Sequence, residues 1–317
     1  MSSDTASSAA PAKPVRRRWG LRFSLRTFLG LVTIFCIVLA WRLHRAKVQR
    51  EAVKAIQDAG GWVHYDYQVG DARAVTNDPQ ARPWEPRWLL DMVGIDFFHD
   101  VTEVNMVYNE EGGSRRDNNR GINIGPQLAH FPRLRVLLVK DHILDDAGMA
   151  HVGRMKRLES LYFWDATKIT DAGAKHLQDM PRLRYIHLST SQVGDEGLAA
   201  IAKLPNLEGL SMQRNKITDV GVAHLSGHSK LKELWIGSLD NVRSPISDAG
   251  VKHLATISNL EELDLQWTSV TPQGLKPLAK LRKLKSLMVS GSTADDYDAV
   301  APMFPNCTID ARKVPPP

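Results

Sequence analysis

The segment from Leu158 to Leu177, LESLYFWDATKITDAGAKHL, returns along the chain with a nearly fixed step. Its first apolar position recurs at Leu134, Leu158, Leu183, Leu207, Leu231, Leu260 and Leu284, at intervals of 24, 25, 24, 24, 29 and 24 residues. Each copy reads in two halves. Leu158, Leu161 and Phe163 mark a short half-buried strand. Ile169 closes the strand side, Asp171 stands where a helix N-cap belongs, and Ala172 to Leu177 make one or two helical turns. Asp146, Asp171, Asp195, Asp219 and Asp248 keep that phase, each with glycine two residues later. One strand with one short helix cannot bury its own apolar face, so the copies must stack on each other to close a core.

The pattern L-x-x-L-x-L-x-x-(N/S/T)-x-(I/V/L) resembles the leucine-rich repeats. Asn215 in LEGLSMQRNKI fits it fully, and Ser191, Thr268 and Ser292 stand at the same place as small polar groups able to bond the backbone at the turn. The resemblance implies an α/β solenoid, a leucine-rich-repeat horseshoe of about eight repeats of ~24 residues. Its first unit, Val101, Val104, Met106 and Asn109, is followed by an insertion at 112–119; a second excess lies at 239–245 and a single extra residue near 166–168. Pro305, Asn306 and Cys307 echo Pro205, Asn206 and Leu207 in a degenerate final strand, with Cys307 expected as a buried small hydrophobe.

Upstream, Phe28 to Trp41 carries no charge. From Leu25 to Leu43 the span is 19 residues, enough at ~1.5 Å per residue to cross a hydrocarbon core of ~30 Å. Trp19 and Trp41 suit its two interfaces. A cleaved signal peptide, with Val38 and Ala40 at the cleavage site, and a buried soluble helix are the competing readings; Arg42 and Arg45 just beyond disfavour both. Six Lys/Arg precede the uncharged stretch Phe28 to Trp41 and four follow within ten residues, placing the N-terminus in the cytoplasm and the repeats on the other side. Leu43 to Ala59 continues as helix in the manner of a stalk. Trp62 to Val69 alternates as a strand suited to cover the edge of the first repeat, and Trp88 to Val93 forms a short apolar helix of the same cap. The expected organisation is a disordered basic tail at 1–22, a transmembrane helix at 23–43, a juxtamembrane helix and N-terminal cap at 44–100, the repeats at 101–310 and a disordered tail at 311–317.

The formal net charge is +6, yet residues 1–50 hold ten Lys/Arg against the single acid Asp4. The rest of the chain is net acidic, which speaks against a nucleic-acid partner. Two cysteines, Cys36 and Cys307, exclude a disulfide framework and a multi-cysteine zinc site. His151, His176, His224 and His253 share one repeat position on successive outer helices and read as repeat consensus rather than metal ligands. Asp117-Asn118-Asn119 lacks the remainder of a calcium loop. No phosphate loop, nucleophile elbow or Cys-His pair appears, so no catalytic, cofactor or metal residue is expected. The strand residues that alternate with the core positions remain: Tyr162, Trp164, Tyr185, His187, Arg214, Trp235, Asp264 and Trp267. Aromatics beside charges are the composition of interface hot spots, so these eight are the candidate contacts for a protein partner on the concave sheet.

The ITDAG-type units resemble the cysteine-containing subclass of leucine-rich repeats found in F-box proteins. The order R-F-S-L-R-T, one hydrophobic span, QREAVKAI, GIDFFHDV and then repeats is similar to membrane-anchored bacterial leucine-rich-repeat proteins, over residues 22–310. That likeness implies a binding role with no catalytic residues. No F-box precedes the repeats, although a soluble or secreted substrate-recognition subunit of an enzyme complex stays open as the alternative.

Overall fold

The computed structural model describes residues 24–68, 81–107, 123–140, 143–238, 243–291 and 297–310. Two compact units are distinguished, one up to His44 and one from Arg45 on. Helix α1, Leu25–Asp58, begins in the first. Across 25–43 all its large apolar side chains but the half-buried Leu39 stand exposed, Phe35 at 65% and Ile37 at 63%. In the second unit its remainder buries Ala46, Gln49, Ala52, Val53 and Ile56.

That burial corrects the stalk expectation: residues 45–58 are the core of the cap. Gln49, 2% exposed, donates from Nε2 to the His99 carbonyl at 2.9 Å and to Asp96 at 3.1 Å. Arg45 pairs with Asp100, and Arg50 Nη2 donates to the Val93 carbonyl at 2.8 Å. The His99 imidazole sits between two carboxylates, Asp66 at 2.6 Å from Nδ1 and Glu85 at 3.0 Å from Nε2. The cap strand β1 is shorter than its alternation suggests, Trp62–Tyr65, because the chain turns at 66–68; Val69 lies outside the described residues. β1 pairs antiparallel with β2, Val101–Met106, which covers the edge of the first repeat as expected. Helix α2, Arg87–Val93, completes the cap.

From β2 onward the strands run parallel: β3 Val136–Lys140, β4 Ser160–Trp164, β5 Tyr185–Leu188, β6 Gly209–Ser211, β7 Glu233–Trp235, β8 Glu262–Asp264, β9 Ser286–Met288 and β10 Thr308–Asp310. Among the described residues they form one sheet in sequence order, β1 to β10. Register is unbroken along the core row: Val104, Leu137, Leu161, Ile186, Leu210, Leu234, Leu263, Leu287 and Ile309 are successive partners. Helices α3 Gly125–Leu128, α4 Asp146–Val152, α5 Asp171–Lys175, α6 Asp195–Ile201, α7 Asp219–Ala223, α8 Asp248–Leu254 and α9 Tyr297–Val300 alternate with them, a 3-10 helix at Lys276–Lys280 taking the place between β8 and β9. This is the leucine-rich-repeat solenoid. Cys307 is half-buried against the core rather than enclosed by it.

The helix starts differ from expectation. Asp171, Asp195, Asp219 and Asp248 are the first helical residues, and the N-caps are Thr170, Gly194, Thr218 and Ser247. The carboxylates point to the next repeat instead. Asp195 accepts the backbone N–H of Thr218 at 2.8 Å on Oδ1 and its hydroxyl at 2.6 Å on Oδ2. Asp146 does the same at Thr170, Asp219 at Ser247 and Asp248 at Thr271. Where the cap is Gly194 and has no hydroxyl, Asp171 Oδ1 takes the N–H groups of both Gly194 and Gly197, at 2.7 and 2.9 Å. Each aspartate thus satisfies the orphan donors at the start of the following helix.

The recurrent glycine follows from the same contact. A methyl group on Gly173, Gly221, Gly250 or Gly274 would collide with the carboxylate of Asp146, Asp195, Asp219 or Asp248. Aspartate and glycine are the two halves of one joint between neighbouring repeats.

Two outcomes follow for unfolding by urea. Leu210→Ala and Leu234→Ala, at positions 1% and 0% exposed, should each cost about 2–5 kcal/mol. Gly221→Ala should destabilise the parent but be neutral or stabilising by up to ~1 kcal/mol once Asp195 is also alanine, since helix interiors favour alanine over glycine. A double-mutant cycle showing no coupling would disprove the joint.

Candidate functional site

The face of the sheet opposite the helices carries three rows of side chains. The first runs Val136, Ser160, Tyr185, Gly209, Glu233, Glu262 and Ser286 from β3 to β9, and the second, two residues on, runs Leu138, Tyr162, His187, Ser211, Trp235, Asp264 and Met288. A third row begins with Lys140 and its partner Trp164. Parallel strands spaced ~4.8 Å apart hold neighbours in a row within reach of each other.

Tyr162, Trp164 and His187 come together. The Tyr162 and Trp164 rings stack with centroids 5.9 Å apart and an interplanar angle of 13°. Trp164 and His187 lie 5.3 Å apart. All three are half-buried, as is Trp235 two strands on. Tyr185 and Asp264 are not exposed as expected; they are 6% and 2% exposed, the Tyr185 ring lying against Gly209 and the Asp264 carboxylate held by Gln213 and Gln266. The Arg184 guanidinium lies 5.6 Å from the Tyr185 ring centroid. Arg214 and Trp267 belong to no strand. They lie three residues past the ends of β6 and β8 in the left-handed region, with φ of 60° and 54°; Asp165 and Thr190, each likewise four residues past its core-row residue, are left-handed too. Trp267 packs against Gly291, where a Cβ would lie 2.5 Å from the indole. That turn is secured by the consensus polar residue: Asn215 Oδ1 accepts from Ser191 N at 2.7 Å, and its Nδ2 donates to the Leu188 carbonyl at 2.6 Å. Ser292 lies outside the described residues, as do 112–119 with Asp117, and 239–242.

Polar chemistry gathers on the second row. Burial pushes the Asp264 carboxyl up to about 6, against the hydrogen bonds from Gln266 N at 2.7 Å and Gln213 Nε2 at 2.6 Å. Burial also pushes His187 down to about 4. His187 Nε2 lies 2.9 Å from Ser189 Oγ, a spacing used by nucleophile and base pairs. The pair lacks the remaining parts: a base with a pKa near 4 is poorly matched to neutral pH, and no carboxylate is hydrogen-bonded to the other ring nitrogen among the described residues. No group of three or more His, Cys, Asp or Glu able to hold a metal occurs among the described residues.

A feature that the sequence reading passed over borders the rows. Immediately before the strands stand Arg135, Glu159, Arg184, Glu208, Lys232, Glu261 and Lys285, alternating in sign from one repeat to the next. Arg135 bonds Glu159 at 2.9 Å, Arg184 and Lys232 both reach Glu208, at 2.6 and 2.9 Å, and Lys285 reaches Glu261 at 2.5 Å. The 24-residue step made that alternation visible in the sequence, had the flanking positions been read as a column.

The family model for the leucine-rich repeat matches residues 181–202, 203–226 and 256–279. No curated protein matches the chain. Among solved structures, the chain is similar to an internalin from Listeria monocytogenes, 22% identical over 58% of this chain and 56% of that one, with a TM-score of 0.42. A leucine-rich-repeat protein of Leptospira interrogans is 18% identical over 58% of this chain and 44% of that one, also with a TM-score of 0.42. The chain therefore spans about half the length of these structures.

The two buried titratable groups give opposite pH responses. Asp264 binds its proton more tightly folded than unfolded, so its contribution is full below its ordinary 3.8 and is lost as pH rises through about 6. His187 stays neutral in the fold, so its contribution is full above its ordinary 6.5 and is lost as pH falls through about 4. Urea midpoints should therefore rise more steeply with pH between 4 and 6 in Asp264→Asn, and fall with pH in His187→Gln. Parallel profiles for parent and both variants would show that neither group is held as described.

Proposed function

We propose that the chain is a non-catalytic, membrane-anchored leucine-rich-repeat protein that binds a protein partner through the concave face of its sheet. The observation that carries this reading is the ring cluster of Tyr162, Trp164 and His187, half-exposed on strands whose backbone is hydrogen-bonded on both sides. Aromatic side chains on a rigid frame lose little entropy on binding and dominate interface energetics. Nine parallel strands at ~4.8 Å give a face roughly 40 Å wide, the scale of a standard protein interface. The helices behind need more room than the strands, which curves the sheet toward this face. Tyr162, Trp164, His187 and Trp235 supply the contact centre, with Arg214 and Trp267 at its border; Tyr185 and Asp264 form the floor beneath.

The anchor is the 25–43 stretch of α1. The helix is long and apolar enough to cross a bilayer, and most large apolar side chains of this stretch are exposed. The flanking arginines support an N-terminus in the cytoplasm and repeats on the far side. A signal sequence near an N-terminus shares this length and composition, and its removal would yield the secreted recognition subunit.

Fractionation separates these readings: the chain should remain with membranes after a high-salt wash, and release of a shortened chain would disprove the anchor. Trp164→Ala with Trp235→Ala should abolish capture of the physiological partner while the far-ultraviolet circular dichroism stays that of the parent. A variant that captures everything the parent captures would move the working surface elsewhere.

A further inference from the structure

Large apolar side chains stand exposed in two places among the described residues. One is the 25–43 stretch. The other is 84–92 of the cap, with Trp84 at 83%, Trp88 at 66% and Met92 at 66%. Elsewhere among the described residues only Val220 is exposed in this way. Trp88 and Met92 lie four apart on α2 and share one face, and α2 buries none of its seven residues. The segment is nevertheless held at both ends. Glu85, 6% exposed, meets the His99 ring at 3.0 Å, and the Val93 carbonyl accepts from Arg50 at 2.8 Å. The backbone is thus fixed with two tryptophans and a methionine turned outward, and a grouped apolar face of this kind marks a contact surface.

The two places differ in composition. The large exposed side chains from Leu25 to Val38 are Leu, Ile, Val and Phe, the ones that hydrocarbon accepts best. At 84–92 they are Trp and Met, flanked by Arg82 and Arg87, both exposed and without an ion-pair partner among the described residues. Asp91, next to Arg87 around the helix, is the one exposed acid from 81 to 93, so the exposed charge of the segment is positive. Tryptophan belongs to the headgroup layer, where its ring lies against the acyl chains and its N–H meets polar groups, and arginine is drawn to anionic lipid there. The chain also limits where this segment can be. Arg50 is seven residues from Leu43, where the apolar stretch ends, so it stays within roughly 25 Å of that point. The end of α2 that Arg50 holds stays with it. A contact tethered so closely needs little affinity of its own.

We propose that Trp84, Trp88 and Met92 seat the cap in the headgroup layer of the bilayer that residues 25–43 cross, with Arg82 and Arg87 against lipid phosphates. The occupant of this face is a phospholipid surface. A soluble protein has apolar area to offer as well, but nothing ties it to the end of the apolar stretch as the bilayer is tied. The chain then holds its membrane twice, once through hydrocarbon and once at the interface. The second hold is the weaker in isolation and acts because the first keeps it within reach.

This inference rests on the membrane-anchored reading. The test uses the full chain with Cys36→Ser and Cys307→Ser, in phospholipid nanodiscs, carrying a single nitroxide label at Met92→Cys, Val220→Cys or Ile34→Cys. Power-saturation electron paramagnetic resonance compares collisions with oxygen, which concentrates in lipid, and with a nickel chelate confined to water. Val220 is 65% exposed and so reports an apolar site of equal exposure on the repeats. The oxygen-to-nickel ratio should be at least about threefold higher for the label at 92 than for the label at 220. Trp84→Ser with Trp88→Ser should bring the label at 92 down to the 220 value, and Trp84→Phe with Trp88→Phe should keep most of the difference. A label at 92 that matches the label at 220 overturns the proposal, as does one indifferent to the serine pair. A label at 92 shielded from both reagents would put a protein on this face and overturns the lipid occupant. If the label at 34 lies in lipid while the label at 92 lies in water, the anchor stands and only this inference falls. If the label at 34 also lies in water, both fall.

Discussion

A carboxylate on the first turn of one helix completes the backbone of the next. Everything repetitive in this structure depends on that reach. Without it, Thr170, Thr218 and Ser247 would each present an N–H and a hydroxyl to a poorly hydrated seam between helices. The reach is possible only because the residue two positions into each following helix lacks a side chain. The joint fixes the axial offset between helices, and the parallel strand register fixes it on the sheet side. A row of leucines can then meet a row of leucines over the whole array.

Two other ladders follow the same step. Asn215 and its smaller equivalents hold the turn that leaves each strand, and the alternating Arg/Lys and Glu column holds the chain that enters it. They differ in weight. The aspartates make several charge-assisted hydrogen bonds in a part-buried seam, and such bonds are roughly twice as strong as neutral ones. The border pairs are half-exposed, where an ion pair is worth about 0–1 kcal/mol. The first ladder builds the solenoid, and the second chiefly settles the sign of charge along one margin of its open face.

The fold was largely legible because its signal is a column, repeated at every multiple of the step. The core row could be placed from apolar spacing, the cover strand from its alternation though not its antiparallel direction, and the degenerate final strand from its echo of Pro205-Asn206-Leu207. What was missed involves partners in a neighbouring copy. Asp171 and Gly173 look like parts of one cap when a single unit is read, yet Asp171 serves Gly194 and Gly197. A clue existed in the unit between β8 and β9, where Pro272 replaces the aspartate while Gly274 stays; Asp248 of the preceding unit still requires it. The site was legible in composition rather than in exposure. Alternation showed which residues leave the core, but the burial of Tyr185 and Asp264 depends on partners in other repeats and at the strand exit, Gly209 beside the ring and Gln213 and Gln266 on the carboxylate. Arg214 and Trp267 were assigned to strands because nothing in a single sequence announces a non-glycine residue in the left-handed region. The 45–58 stretch was misjudged because its buried stripe includes Gln49, a polar residue whose partners lie some fifty positions downstream.

The cover strand β1 has a consequence for how such a chain can change its length. A new copy of the 24-residue unit inserted between existing units arrives with an aspartate for its successor and a glycine for its predecessor, so duplication preserves every joint. At β1 the polarity reverses, and the hydrogen-bonding edge there matches no repeat. Gain and loss of units in related chains should therefore fall on the C-terminal side of β2, leaving the cap and the segment feeding it as the fixed origin from which the array is counted.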